Sequence, residues 1–262
     1  MGSASREALA AAKDALVAEK KVTRTTGEQL LSAQRDIASS KQLLALLADP
    51  SIEPAEKSGL IGRIFSGIEP AAASLLGVLT AARWSSSAQL LDGIEEVGIR
   101  AIARSTGDAR LESELFAFGA AVSSDPELEL AVGSKLGDPA AKAALVQRLF
   151  GGKGSAEAVA IIRHLVQSPR GRRVGSLLST AARYVADEAG AVVATVTAAR
   201  PLSAAQRSTL AQKLAAQYGR EPRLNIVIDP AVIGGLRVQI GDDVIDGTVA
   251  SRIADLKLQL AG

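Results

Sequence analysis

Apolar residues recur at steps of four, three and four through Leu90, Ile94, Val97 and Ala101, and Val174, Leu177, Leu178, Ala181 and Val185 keep a similar rhythm. That period lines each set along one stripe of a helix, and such a stripe is buried against a neighbour. A first helix reads from about residue 5 to residue 19, with Ala8, Leu9, Ala12 and Leu16 on one face and Ser5 as its cap. Two short helices begin at Pro54 and Pro139, where the missing proline N–H costs nothing. Glu53 and Asp138 occupy the cap positions before them.

The pattern is duplicated. "LLADPSIEPAEKSGLIGRIFSG" lies against "AVGSKLGDPAAKAALVQRLFGG", with Pro54/Pro139, Lys57/Lys142, Leu60/Leu145, Ile61/Val146, Arg63/Arg148, Phe65/Phe150 and Gly67/Gly152 all 85 residues apart. Outward from this block, "EQLLSAQRDIASS" resembles "SELFAFGAAVSSD", and "AASLLGVLTAARWSSSAQLLDGIEEVGIRAIARSTG" resembles "EAVAIIRHLVQSPRGRRVGSLLSTAARYVADEAG" after small length changes. A fixed period means a repeated structural unit, here of about 80 residues. The helix at residues 5–19 has no counterpart before the second copy, so the duplication reads as incomplete.

Near Gly190 the period changes from helical to alternating. Val192, Ala194, Val196 and Ala198 share one face of a strand, opposite Thr195 and Thr197. A helix follows, opened by the capping box of Ser203 and Gln206, striped with Leu210, Leu214 and Tyr218, and stopped by Gly219. Two more strands carry Leu224, Ile226 and Ile228, then Leu236, Val238 and Ile240. Gly234 and Gly235 read as a bend or bulge, and Gly241 with Asp242 as a tight hairpin turn. A closing helix from Thr248 buries Val249, Ile253, Leu256 and Leu260. The fold class is therefore mainly α, a duplicated helical-bundle region followed by a small α/β domain. The expected divisions are 1–108, 109–190 and 191–262.

Composition narrows the chemistry. With 47% hydrophobic residues but only 3% aromatic, the cores are built from closely packed aliphatic helices. The absence of Cys removes disulfides and thiolate chemistry, and a single His removes multi-histidine metal sites. Thirty Lys and Arg against 28 Asp and Glu leave a formal charge of +2, no footprint for nucleic acid. No uncharged apolar run approaches the ~18 residues of a membrane span, and no basic leader opens the chain. A soluble, cytoplasmic protein without direct membrane insertion is expected. No catalytic, cofactor-binding or metal-binding residue emerges.

"LNIVIDPAVIGGLRVQIGDDVIDGTVASRIADLKLQL", taken with the strand and helix before it, resembles the C-terminal signature of the delta subunit of F-type ATP synthases, the bacterial counterpart of the mitochondrial oligomycin-sensitivity-conferring protein. The signature residues are Asp229, Gly234, Gly235, Gly241, Asp246 and Gly247. The resemblance covers 110–262, and the extra N-terminal unit is similar to the long actinobacterial form. It implies a non-catalytic stator component: the bundle would hold N-terminal helices of alpha subunits, and the C-terminal domain would receive the peripheral-stalk b subunit. By the same resemblance the alpha groove lies between the first and fifth bundle helices, either Leu9, Ala12 and Leu16 with Leu75 and Leu79, or Val159, Ile162 and Val166 in the second unit. Ile253, Leu256 and Leu260 would face the stalk. One copy per complex, monomeric when isolated, and a location on the inner face of the bacterial membrane through the complex are implied as well.

Two rival classes are a helical-repeat adaptor unrelated to ATP synthase and a hydrolase using the Asp-rich hairpin. The hydrolase lacks a matched base, nucleophile and oxyanion site. Asp229, Asp242, Asp243 and Asp246 read as turn and strand-end carboxylates. "GGKGS" at 151–155 reads as a helix-ending turn, because a phosphate loop needs GK followed directly by Ser or Thr. His164 reads as a packing or partner-facing residue, Trp84 as half-buried packing, and Arg170, Arg172 and Arg173 as a solvated turn or a rim contact.

Overall fold

The computed structural model describes residues 2–108, 110–134, 137–241, 243–249 and 251. The chain forms two compact units, Met1–Val185 and Ala186–Gly262. The first is helical. It opens with α1 (Ser3–Ala18), α2 (Arg24–Ser39), α3 (Lys41–Ala48), α4 (Pro54–Ile64), α5 (Pro70–Ala81) and the long α6 (Ser87–Thr106). Then come α7 (Arg110–Ser124), α8 (Pro126–Gly133), α9 (Pro139–Phe150), α10 (Ala156–Gln167) and α11 (Val174–Glu188), the last ending beyond the unit boundary.

Local chemistry starts these helices. Thr23 and Thr26 form a reciprocal capping box on α2, Ser40 and Ser86 accept from backbone N–H groups of α3 and α6, and Asp138 accepts from Ala140 and Ala141. Glu53 precedes Pro54 without a side-chain cap bond. Ser5 departs from its expected role: it lies inside α1, fully buried, and its hydroxyl accepts the Ser85 N–H at 2.8 Å. A second partner across the fold outcompeted the local one.

The duplication is more complete than the sequence shows. One core gathers Leu9, Ala12, Leu16, Leu30, Leu75, Leu79 and Ile94; a second gathers Leu111, Leu115, Val146, Ile161, Ile162, Leu165 and Leu178. Helix α6 serves both, with Leu90, Ile94, Val97 and Ala101 in the first core and Ile99, Ile102 and Ala103 in the second. It is thus the last helix of one repeat and the first of the next. The two orders α1 to α6 and α6 to α11 then match element for element. A helix with two apolar stripes can be shared this way, whereas sequence comparison aligns each helix only once.

The paired lysines have a structural use. Lys142, buried, donates from Nζ to the backbone carbonyl of Ser134, which caps α8. Lys57, equally buried, sits in the field of Asp49, the cap of α3 and the residue 85 positions before Ser134.

The second unit holds β1 (Ala191–Ala198), α12 (Ala204–Tyr218), β2 (Glu221–Ile228), β3 (Leu236–Ile240) and β4 (Asp243–Asp246), with strand order β2-β1-β3-β4. β1 and β2 are parallel, joined through α12, while β1/β3 and β3/β4 are antiparallel. Ala194, Val196, Leu214, Val238 and Ile240 form the core. The capping box and the left-handed Gly219 stop of α12 are present. Ile228 is 45% exposed and Asn225 buried, a departure from strict alternation on a strand paired along one side only. Val249 is 42% exposed rather than buried. Asp242, Ile253, Leu256 and Leu260 lie outside the described residues.

Candidate helix-binding grooves and a buried ion cluster

The signature glycines shape the backbone. Gly234 and Gly235 have φ of +69° and +81°, a region that strains any side-chain-bearing residue. A Cβ on Gly235 would stand 2.3 Å from the Gly247 carbonyl oxygen, so these two segments meet only because residue 235 is glycine. The Gly247 N–H donates to the Leu236 carbonyl at 2.9 Å, and the carboxylates of Asp229 and Asp246 accept from the N–H groups of Ala231 and Thr248. Gly241 supplies the hairpin's positive φ of 58°. Beside the glycine bend opens a largely apolar cleft of about 830 Å³, walled by Ala198, Leu202, Leu210, Val232 and Leu236, with Arg200 and Lys213 also lining it.

In the helical unit, Leu9, Ala12, Leu16, Leu75, Leu79, Val159, Ile162 and Val166 are all buried. They back the helix faces from within. The open surface above the first repeat is a cleft of about 900 Å³ lined by Ala4, Ala8 and Ala11 of α1, Ala48, and Ala82 and Arg83 after α5. On α5 itself Ser74 is exposed and Gly77, Val78 and Ala81 are half-buried. A Cβ on Gly77 would meet nothing within 4 Å. Pattern reading missed these residues because it seeks large apolar side chains; small ones at partly exposed positions carry no amphipathic signal.

Trp84 is fully packed, its Nε1 donating to the Leu79 carbonyl at 2.7 Å and its ring lying where a Cβ on Gly93 would fall.

A buried ionic cluster joins the two repeats. Glu95 on α6 receives Arg172 through two bonds of 2.8 and 2.7 Å and Arg170 at 3.1 Å, and Arg170 also reaches Asp92 at 2.7 Å. The arginine turn is therefore engaged within the chain, not a solvated loop. Arg170 adopts a left-handed φ of 47°, which costs a non-glycine residue about 1–2 kcal/mol; its bonds to Asp92 and Glu95 hold it there. His164, 1% exposed, accepts from the Arg35 guanidinium at Nδ1 (2.8 Å), so the neutral ring carries its proton on Nε2, 3.5 Å from Glu95. Across α6, Glu96 pairs with Lys13 and Arg100, each at 2.9 Å, and Arg100 lies 5.4 Å from the Tyr184 ring centroid.

These environments set protonation. Burial works to raise the Glu95 carboxyl, but His164, Arg172 and Arg170 outweigh it and bring it to about 2. Burial lowers His164, with Glu95 opposing and Arg35 and Arg170 reinforcing. Both groups bind protons more weakly folded than unfolded, so both contribute stability that acid removes. His164's share is complete above its ordinary value near 6.5 and fades below it. Glu95's share is complete above about 4.5 and is lost as pH falls toward 2. Scanning calorimetry against pH should show a two-stage fall in melting temperature; Glu95→Gln should flatten the lower stage and His164→Gln the upper. Superimposable profiles would refute this assignment.

Together the fold defines a tandem helical-repeat protein with a mixed-sheet module, each with an open cleft on its surface. Residues 99–260 match the ATP synthase delta (OSCP) subunit family. The chain is 51% identical to the ATP synthase subunit delta of Leifsonia xyli subsp. xyli, with 100% of both chains covered. It is 37% identical to that of Streptomyces avermitilis, covering 98% of each. A chain of the Toxoplasma gondii mitochondrial ATP synthase hexamer is similar at 20% identity and a TM-score of 0.43, covering 64% of this chain and 96% of that one. The chain belongs to the ATP synthase delta (OSCP) subunit family. That sets aside an adaptor unrelated to ATP synthase. Among the described residues, no helix is long and apolar enough to cross a membrane.

Proposed function

We propose that the chain is the non-catalytic stator subunit that tethers the catalytic head of the proton-translocating enzyme to its peripheral stalk. One observation carries the reading: full-length identity to delta subunits in a chain whose first repeat leaves an alanine-walled cleft between α1, Ala48 and the turn after α5. An N-terminal helix of an alpha subunit enters at that cleft and runs along the neighbouring face of α5, past Ser74, Gly77, Val78 and Ala81, with Leu9, Ala12, Leu16, Leu75 and Leu79 as its buried backing. Residues 1–108 and 109–190 act as two repeats with α6 in common, and 191–262 receives the b subunit, for which the cleft beside Gly234 and Gly235 offers an apolar seat. One copy serves each complex, on the inner face of the membrane, and the isolated chain is a monomer.

Rotation makes the tether necessary, because a head free to turn with the rotor does no work against it. A helix in such a groove buries apolar area, and two linked attachments raise retention through effective concentration. Calorimetric titration of the chain with a peptide of the alpha subunit's N-terminal helix tests this. Saturable binding is expected, weakened at least tenfold by Gly77→Glu, a substitution into open space that leaves the melting temperature unchanged. No binding by the folded chain would remove the head-capping role.

A further inference from the structure

Sharing α6 makes α6 and α10 stand in the second repeat as α1 and α5 stand in the first. On α10, Ala160, Arg163, His164 and Gln167 turn toward α2, enclosing with Glu28, Leu31 and Arg35 a small cavity of about 150 Å³. At the same points of α5, which starts 86 positions before α10, the residues are Ser74, Gly77, Val78 and Ala81. On α5 this face is exposed at Ser74 and half-buried at the other three, whereas on α10 its centre, His164, is 1% exposed beneath α2 and Arg163 forms the open edge.

The seat is close-fitting. Gly27 of α2 crosses α6 so tightly that a Cβ there would stand 2.6 Å from the Gly98 carbonyl oxygen and 2.4 Å from Ile102 Cγ1. Leu31 is 1% exposed and belongs to the core of the second repeat, although α2 is part of the first. Arg35 donates to His164, and Arg24 lies 3.9 Å from Glu157 at the start of α10.

We propose that α2 is a built-in occupant of the α6/α10 groove, so the chain offers a partner helix one groove, over α1 and α5, and not two. The repeat that joins the family pattern at residue 99 is closed from within, and the additional N-terminal repeat carries the accessible groove. α2 also indicates what such a groove takes: an amphipathic helix with a small residue at the crossing and a leucine four positions on, as Gly27 and Leu31 are spaced. This rests on the helix-capture reading of the α1/α5 cleft.

The test combines stoichiometry with hydrogen exchange on the full chain, using the alpha N-terminal peptide as probe. One peptide per chain is expected, lost in Gly77→Glu and kept in Arg163→Glu, which alters the exposed edge of α10. The amides of α2 should exchange as slowly as those of α6, with or without peptide. Two peptides per chain, one of them abolished by Arg163→Glu, would overturn the proposal, as would α2 amides that exchange at loop rates or are released by peptide. If no peptide binds, the head-capping role fails by itself, and the exchange of α2 alone decides whether the second groove is self-filled.

Discussion

Glu95→Ala is expected to cost the helical unit about 3–5 kcal/mol, the range seen when one partner of a buried ion pair is removed. The carboxylate is 3% exposed and is the common partner of Arg170 and Arg172, with His164 beside it. Its loss leaves these cationic donors partly buried around a cavity, and releases the restraint on the left-handed Arg170. A melting-temperature drop of roughly 10 °C follows for a unit of this size. Glu95→Gln, which keeps the shape and an acceptor oxygen, should fall in between. Chemical denaturation of the two variants checks this; a loss in the alanine variant below about 1 kcal/mol would mean that solvent already reaches the cluster.

Gly27→Ala should be the second large effect, and its sign runs against helix propensity. Alanine is about 1 kcal/mol better than glycine inside a helix. Here, however, the new methyl meets backbone, the Gly98 carbonyl oxygen at 2.6 Å and the Ile102 nitrogen at 2.9 Å, and backbone yields only if the two helices separate. Overpacking of this kind costs about 1–3 kcal/mol, so after the gain in helix propensity a net loss of up to about 2 kcal/mol is expected. Gly98→Ala meets mainly the Leu31 side chain, which can rotate, so it should be milder. Gly62→Ala on α4 meets nothing within 4 Å and should stabilise slightly. Urea denaturation of the three variants decides; equal effects at all three positions would show that the α2/α6 contact is loose.

Much of the C-terminal unit was legible because its signals are local. The capping box of Ser203 and Gln206, the stop at Gly219, the period of β1 and the positive-φ glycines each depend on residues a few positions apart. Ile228 was not legible, because strand order decides which alternate face is covered, and β2 proved to be a sheet edge. In the helical unit, period identified the buried stripes but not their partners. The sequence placed Leu9, Leu75 and Ile162 on apolar faces; only packing showed that these faces are interior and that the open face belongs to smaller neighbours.

By itself, then, the sequence determined the helix and strand types, the 85-residue duplication, the change of fold near Gly190 and the family, since each rests on short-range pattern or on motif. Tertiary structure alone decided that α6 belongs to both repeats, that the arginine turn closes on Glu95, and that α2 covers α10. Those facts join residues some 75 to 130 positions apart. Contacts at that separation are selected by which surfaces fit without strain or unpaired charge, and local period carries no record of that choice.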